Sequence, residues 1–473
     1  MKLVAIALCA ISSALCFPAA AQDKKPLSKD VKARTEKAEQ GDAARKFWDR
    51  VFVEDQVLDI QIEMARADWD AMQPERGRRA GGRNAPRVRF DNTFRYAKAK
   101  VTVGGEVFEV AGLRFKGNSS FRASEQWKKP MKIDLNRFTK GQKLHGRTKI
   151  NLSNAFLDPA FMKEKLAYEL YRAAGMATPG VGWADVTLTV KGEIEKKRLG
   201  IYVLIEQVDK GYIERSFGEK SRGSLLMKPD ALDDWEYLGR EPAAYERYNI
   251  KIGEDNENQI RAFADILRLI ERGSDEDFAR EIGKRMDLGQ LAGYLAATSI
   301  LANIDSYIGM PHNYYLLLDK ADNKLRLLPW DLNEAFGTFT MRGGAEEMAR
   351  WNIDRPWVSR RRLLERLFKT QTFSKRYRAA VEKLMREHFT EKRLSARIKA
   401  FEAAIGKFVA RDKAGGGTRS FRMGIDGDGS GMNRAVGRKI MAIKPFLRKR
   451  IQSIRAQLAG QADGVSLGRS RRR

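Results

Sequence analysis

The run YYLLLDKADNKLRLL, from Tyr314 to Leu328, decides how the chain is read. Two short apolar stretches, Tyr314 to Leu318 and Leu325 to Leu328, flank Ala321-Asp322-Asn323, the pattern of a β hairpin. That hairpin interrupts a long helical region. Periodic apolar positions predict helices over 258–272, 276–286 and 288–302 before it. After an arginine-rich loop they predict helices over 361–369, 373–388, 391–410 and 434–458. Upstream the pattern is different. Val101 and Val103, Gly104-Gly105, and Val107 to Val110 read as a hairpin. Met131, Ile133 and Leu135 alternate with Lys132 and Asp134, which sets Lys132 on the strand face opposite the apolar residues. Asp158-Pro159 opens a helix carrying Met162, Leu166 and Leu170, which Gly175 ends. Strands over 183–190 and 199–205 follow. The order gives an α+β expectation: a small β-rich lobe with one helix over 51–210, then a mainly helical lobe over 211–460.

The ends of the chain carry different signals. Residues 1–21 read as an export signal, with Lys2, an apolar Leu3 to Leu15, and Ala19-Ala20-Ala21 before Gln22. Both cysteines, Cys9 and Cys16, lie inside it. Cleavage after Ala21 therefore leaves a mature chain without disulfides, thiol catalysis or zinc-thiolate sites. The expected location is periplasmic, extracellular or at the cell surface, with no transmembrane span in the mature chain. Residues 22–50 read as a mobile lead-in and 461–473 as a basic tail. Glu75 to Arg89 reads as an exposed loop rich in Gly and Arg.

Over 473 residues, 89 Lys and Arg face 61 Asp and Glu, a formal charge of +28. Such a field favours polyanions without choosing among them. The basic stretches lack the interleaved aromatics of a single-strand nucleic-acid platform, so no specific nucleic-acid partner is expected. Three histidines, His145, His312 and His388, form no His-Glu-x-x-His pair. Gly427-Asp428-Gly429-Ser430-Gly431 follows no strand, and a calcium loop starting at Asp426 would need Glu where Gly437 stands.

The densest polar cluster among apolar neighbours is Asn303-Ile304-Asp305, His312-Asn313, and Pro329-Trp330-Asp331 through Gly337. A short hairpin brings its outer ends together, so Asn313 and Asp331 are expected to lie close, with Asp305 at the same mouth. Two carboxylates and an amide oxygen are hard ligands suited to Mg²⁺ or Mn²⁺ carrying phosphates. Helix and turn capping is the alternative role for each of them.

These motifs, together with Arg114-Phe115-Lys116-Gly117-Asn118-Ser119-Ser120, Lys129-Pro130-Met131-Lys132-Ile133, Asp158 to Leu166 and Gly200 to Glu206, resemble the spore coat protein H (CotH) kinase family. The resemblance implies a two-lobed, protein-kinase-like fold and a secreted kinase moving the γ-phosphate of ATP, with Mg²⁺ or Mn²⁺, onto serine or threonine of a protein substrate. It implies Asp305 as the catalytic aspartate, and Asp331 and Asn313 on metal. Gly117, Asn118 and Ser119 would cover phosphate through backbone N–H groups. Lys132 is the choice for the lysine on the nucleotide phosphates, with Lys149 its rival. Glu164, or Glu169, would pair with that lysine, and Glu206 would face nucleotide. Asp-Leu-Asn stands where ordinary kinases have Asp-Phe-Gly, and no His-Arg precedes Asp305. A non-catalytic binding protein at the cell surface or envelope is the competing expectation.

Overall fold

The computed structural model describes residues 29–74, 94–229, 232, 234–412, 417–427, 432–433 and 438–467. The proposed export signal (1–21), the loop from Glu75 to Arg89, most of the Gly427–Gly431 run and the last six residues of the basic tail lie outside them.

Seven strands close into a barrel: β1 (Val57–Met64), β2 (Ala97–Val103), β3 (Glu106–Phe115), β4 (Met131–Asp134), β5 (Lys149–Ser153), β6 (Val181–Val190) and β7 (Ile194–Glu206), in the order β1-β2-β3-β4-β5-β7-β6. Neighbours are antiparallel except β1 and β6, which run parallel from Val57↔Trp183 to Met64↔Val190 and seal the barrel. The alternation seen in the sequence is the inside–outside alternation of a barrel wall. Ile60, Val101, Leu113, Ile133, Leu152, Val186 and Leu204 fill one apolar core. A second sheet, β8 (Leu225–Met227), β9 (Ile250–Ile252), β10 (Tyr314–Asp319) and β11 (Lys324–Pro329), has the order β11-β10-β8-β9.

Helix α1 (Lys29–Phe52) takes up most of the stretch read as a lead-in, and its Trp48 and Val51 are buried in the barrel core. Next come α2 (Arg66–Ala71), the single-turn α3 (Ser119–Arg122), α4 (Lys163–Ala173) and α5 (Lys210–Phe217). The second, larger core gathers α6 (Glu257–Arg272), α7 (Asp275–Arg285), α8 (Leu288–Ile300), α9 (Ala345–Ala349), α10 (Arg362–Lys369), α11 (Gln371–Glu387), α12 (Glu391–Ala410), α13 (Gly417–Asp426) and α14 (Ile443–Leu458). Polar contacts fasten these helices to the barrel: Lys128 Nζ, in the loop before β4, lies 2.5 Å from Asp412, and Arg198 of β7 donates to the Phe408 carbonyl of α12 at 2.8 Å.

The expectation of a two-lobed, protein-kinase-like fold with a small β-rich lobe carrying one helix is overturned. The first half is a closed seven-stranded barrel with four helices before its last two strands, and a separate four-stranded sheet follows it. The reason is the β1–β6 pairing. It joins segments more than a hundred residues apart, and no local pattern announces it. Among the described residues, no helix is long and apolar enough to cross a membrane.

Candidate active site

The hairpin β10–β11 ends where the sequence reading placed it, with Tyr314 paired to Pro329. The Trp330 N–H donates to the Asn313 carbonyl at 3.2 Å, which holds the outer ends together. On either side, Asn313 (φ 61°) and Asp331 (φ 58°) take the left-handed conformation. Asn and Asp tolerate it better than most residues, and such strain is kept where the surrounding structure fixes it.

Asp305 arrives from the buried helix α8. The carbonyls of Ser299 and Ile300 at the end of that helix accept from the guanidinium of Arg450, which lies wholly buried in α14, at 2.8 and 3.2 Å. The buried Arg361 donates to the carbonyls of Tyr307 (2.6 Å) and Gly309 (2.8 Å), pinning the loop beyond Asp305. Asp305 itself is 5% exposed. Its Oδ2 accepts from Asn313 Nδ2 at 2.8 Å, and its Oδ1 lies 2.6 Å from His312 Nε2. A carboxylate has about four lone-pair sites, so the Asn313 donor leaves it able to accept a proton.

Glu164 stands in the first turn of α4. Two buried ties bring that turn against the segment after the hairpin. Lys163 Nζ donates to Thr338 Oγ1 at 2.7 Å, and Asn333 Nδ2 donates to the Phe156 carbonyl at 3.1 Å. Both Glu164 oxygens are buried. Burial first, and then the nearby negative charge of Asp331, push its carboxyl up to about 8, against the opposing pull of Lys116 and the Ser153 hydroxyl.

A cavity of about 560 Å³ opens beside this cluster, between the outer face of the barrel and the second sheet. Ten lysines and arginines line it, against two carboxylates. Arg114, Lys132 and Asn151 form one cross-strand row on its barrel wall. Tyr315 and Trp330, ring centroids 5.4 Å apart and edge to face, form part of the opposite wall. The ammonium groups of Lys116 and Lys228 lie 5.6 and 5.8 Å from the Trp330 ring centre.

Asp305, Asn313, Asp331 and Glu164 therefore converge at the open end of the hairpin. Lys132 lies on the cavity wall, and the cation acting on Glu164 is Lys116. Glu169, the other candidate partner, is taken by Arg397. Gly117, Asn118 and Ser119 follow directly on Lys116 but do not line the cavity. Gly117 has φ 77°, and a Cβ there would collide with Ser120 Oγ. Glu206 lines the cavity with its acceptors already used: Arg147 Nε and Arg215 at 2.8 Å each, and the Gly180 N–H at 3.0 Å. Burial pushes its carboxyl up, and the two guanidinium groups outweigh that and hold it below the usual range. Sequence reasoning did not assign Lys116 or the His312 contact. Lys116 follows directly on the end of β3, and no local pattern in the sequence singles it out.

Comparison with known proteins agrees with the motif reading. Residues 113–454 match the family described as CotH kinase protein. The inner spore coat protein H of Bacillus subtilis (strain 168) is 24% identical over 280 residues, covering 58% of this chain and 72% of that protein. The crystal structure of the Helicobacter pylori proinflammatory kinase CtkA is 10% identical, covering 74% of this chain and 97% of that one, at a TM-score of 0.21, too slight a likeness to bear on the fold. With the family match spanning well over half its length, the chain belongs to the CotH kinase family.

Proposed function

We propose that the chain is an exported kinase that transfers the γ-phosphate of ATP to a serine or threonine hydroxyl of a protein. The observation that carries this reading is a strongly cationic cavity opening beside a cluster of three acids and an amide. Phosphoryl transfer asks little covalent work of a protein. It asks for positioned phosphates, neutralised charge and an oriented hydroxyl. The cavity offers the first, through Lys116 and Lys132. Asp305, steadied by Asn313 and His312, is the group to accept the hydroxyl proton as oxygen bonds to phosphorus and the bond to ADP breaks.

The acids fit a divalent ion. Burial and the charge of Asp331 disfavour the ionised form of Glu164, and a cation bound beside the two acids would favour it. No group of three or more His, Cys, Asp or Glu able to hold a metal exists among the described residues. Mg²⁺ is commonly held by one or two carboxylates plus substrate phosphates. Asp331 and the amide oxygen of Asn313 would hold it, and bound there it would neutralise charge on the phosphates. The turn Gly117–Ser119, which follows directly on Lys116, is the candidate to cover phosphate through its backbone N–H groups. Export rests on residues 1–21 alone.

The test is a labelled-ATP transfer assay on the mature chain with Mg²⁺ or Mn²⁺. Metal-dependent transfer that is lost in Asp305→Asn is the expected result. A wild-type chain that binds no nucleotide would overturn the proposal in favour of a non-catalytic binding protein.

A further inference from the structure

The cation lining extends well past the acidic cluster. Strand β5 runs from Ser153, beside Glu164, to Lys149, and its Asn151 and Lys149 line the cavity. Four residues at ~3.3 Å each put about 13 Å between those two positions. The row Arg114–Lys132–Asn151 lies between them. At the Lys149 end the cavity gains Lys143 and Arg147 from the loop before β5, and Lys210 and Arg215 from α5. Both carboxylates of the lining also belong to this end, where they face five cations. Glu206 takes Arg147 and Arg215, and Asp209 accepts the Tyr212 N–H to cap α5. Lys143, Lys149 and Lys210 have no carboxylate within ion-pair distance among the described residues. A nucleoside is neutral at its base, so a nucleotide with its phosphates at the Asp331 end leaves these three charges unanswered.

We propose that Lys143, Lys149 and Lys210 form a second anion subsite that takes a phosphoryl or pyrophosphoryl group while nucleotide phosphates occupy the Asp331 end. The subsite rests on the kinase reading for the order of occupancy, but its own charge does not depend on it. Its ligand chemistry is a phosphate ester or a free polyphosphate. Three mobile ammonium groups around one opening suit several phosphate oxygens, and Lys binds phosphate as a point charge without demanding one geometry.

The probe is inorganic pyrophosphate, titrated calorimetrically into the full mature chain saturated with Mg²⁺ and a non-hydrolysable ATP analogue. Pyrophosphate should still bind, and Lys143→Gln/Lys210→Gln should weaken it by about tenfold or more while nucleotide affinity changes less than about twofold. Lys149→Gln alone should act in the same direction. Complete displacement of pyrophosphate by nucleotide, or unchanged pyrophosphate affinity in the double variant, would overturn the subsite. Lysine-dependent pyrophosphate binding in a chain that binds no nucleotide would sustain the subsite and sink the kinase reading. A phosphoserine peptide that binds the nucleotide-saturated chain more tightly than its serine twin, through the same lysines, identifies a phosphorylated acceptor as the source. Equal binding of the two peptides, with pyrophosphate binding retained, identifies a free anion.

Discussion

Glu164 and Glu206 are the same residue type, both buried, one beside the cavity and one in its lining, and they stand in opposite electrostatic states. Glu206 meets two guanidinium groups and a backbone N–H, and is held ionised. Glu164 meets another carboxylate and has a single lysine working against burial, and is held protonated up to about pH 8. The difference is entirely one of partners. A carboxylate supplied with donors braces a wall. One left short of them keeps its proton until an incoming cation favours the ionised form, which is how functional carboxylates commonly differ from structural ones.

The sharpest way to break this contrast is to remove charge at the Glu164 end. Asp331→Asn should lower metal-dependent nucleotide affinity and cut transfer by about 10³-fold or more. Asp305→Asn should cut transfer by roughly 10²–10⁴-fold while nucleotide binding survives. Single-turnover transfer and equilibrium nucleotide binding, measured on both variants, separate the two roles. Wild-type transfer in both would remove the functional half of the comparison.

At the other end the effect should fall on stability. Glu206→Gln leaves Arg147 largely buried without its counter-charge and should cost about 3 kcal/mol in urea unfolding at pH 7, near the low end for a broken buried pair. Stability owed to Glu206 is present above the ordinary glutamate range and is lost as pH falls through its lowered pKa.

Glu164 has the opposite sign. The unfolded chain ionises near pH 4.5 and the folded chain near 8, so stability falls as pH rises through that window. The slope is at most about 1.4 kcal/mol per pH unit. Glu164→Gln should flatten the unfolding free energy between pH 5 and 8, and saturating Mg²⁺–nucleotide should flatten it in the wild type. A slope unchanged in the variant would show that Glu164 is not the group responsible.

The smallest expected effect distinguishes two lysines. Lys116→Met should weaken Mg²⁺–nucleotide binding about tenfold, or ~1.4 kcal/mol, and raise the Glu164 pKa further. Lys132→Met should weaken binding by only about threefold, ~0.6 kcal/mol. The reverse order would make Lys132 the principal phosphate lysine.

Much of this was legible in the sequence because it is local. The hairpin at 314–328 shows in two apolar runs around a turn, and helices such as 258–272 and 391–410 match α6 and α12 within a residue or so at each end. The convergence of Asn313 and Asp331 follows from hairpin geometry alone. Barrel closure was not legible, since β1 was not singled out and its parallel partner lies more than a hundred residues away. The lysine facing Glu164 was not legible either. Lys132 sits on β4 and Lys116 just past the end of β3, and both line the cavity. What selects Lys116 is the packing of α4 against the segment after the hairpin, through Lys163–Thr338 and Asn333–Phe156.

The parallel seam of the barrel also governs how the chain can fold. β1 is made early, yet its second neighbour is β6, so its outer edge stays unpaired until residues 181–190 have been synthesised. Contacts of such sequence separation slow folding. A chain stopped before β6 would present open strand edges at β1 and β5, which template aggregation. Truncations ending before residue 181 should therefore be recovered as aggregates, whereas the full barrel, once sealed, offers no free edge to another chain.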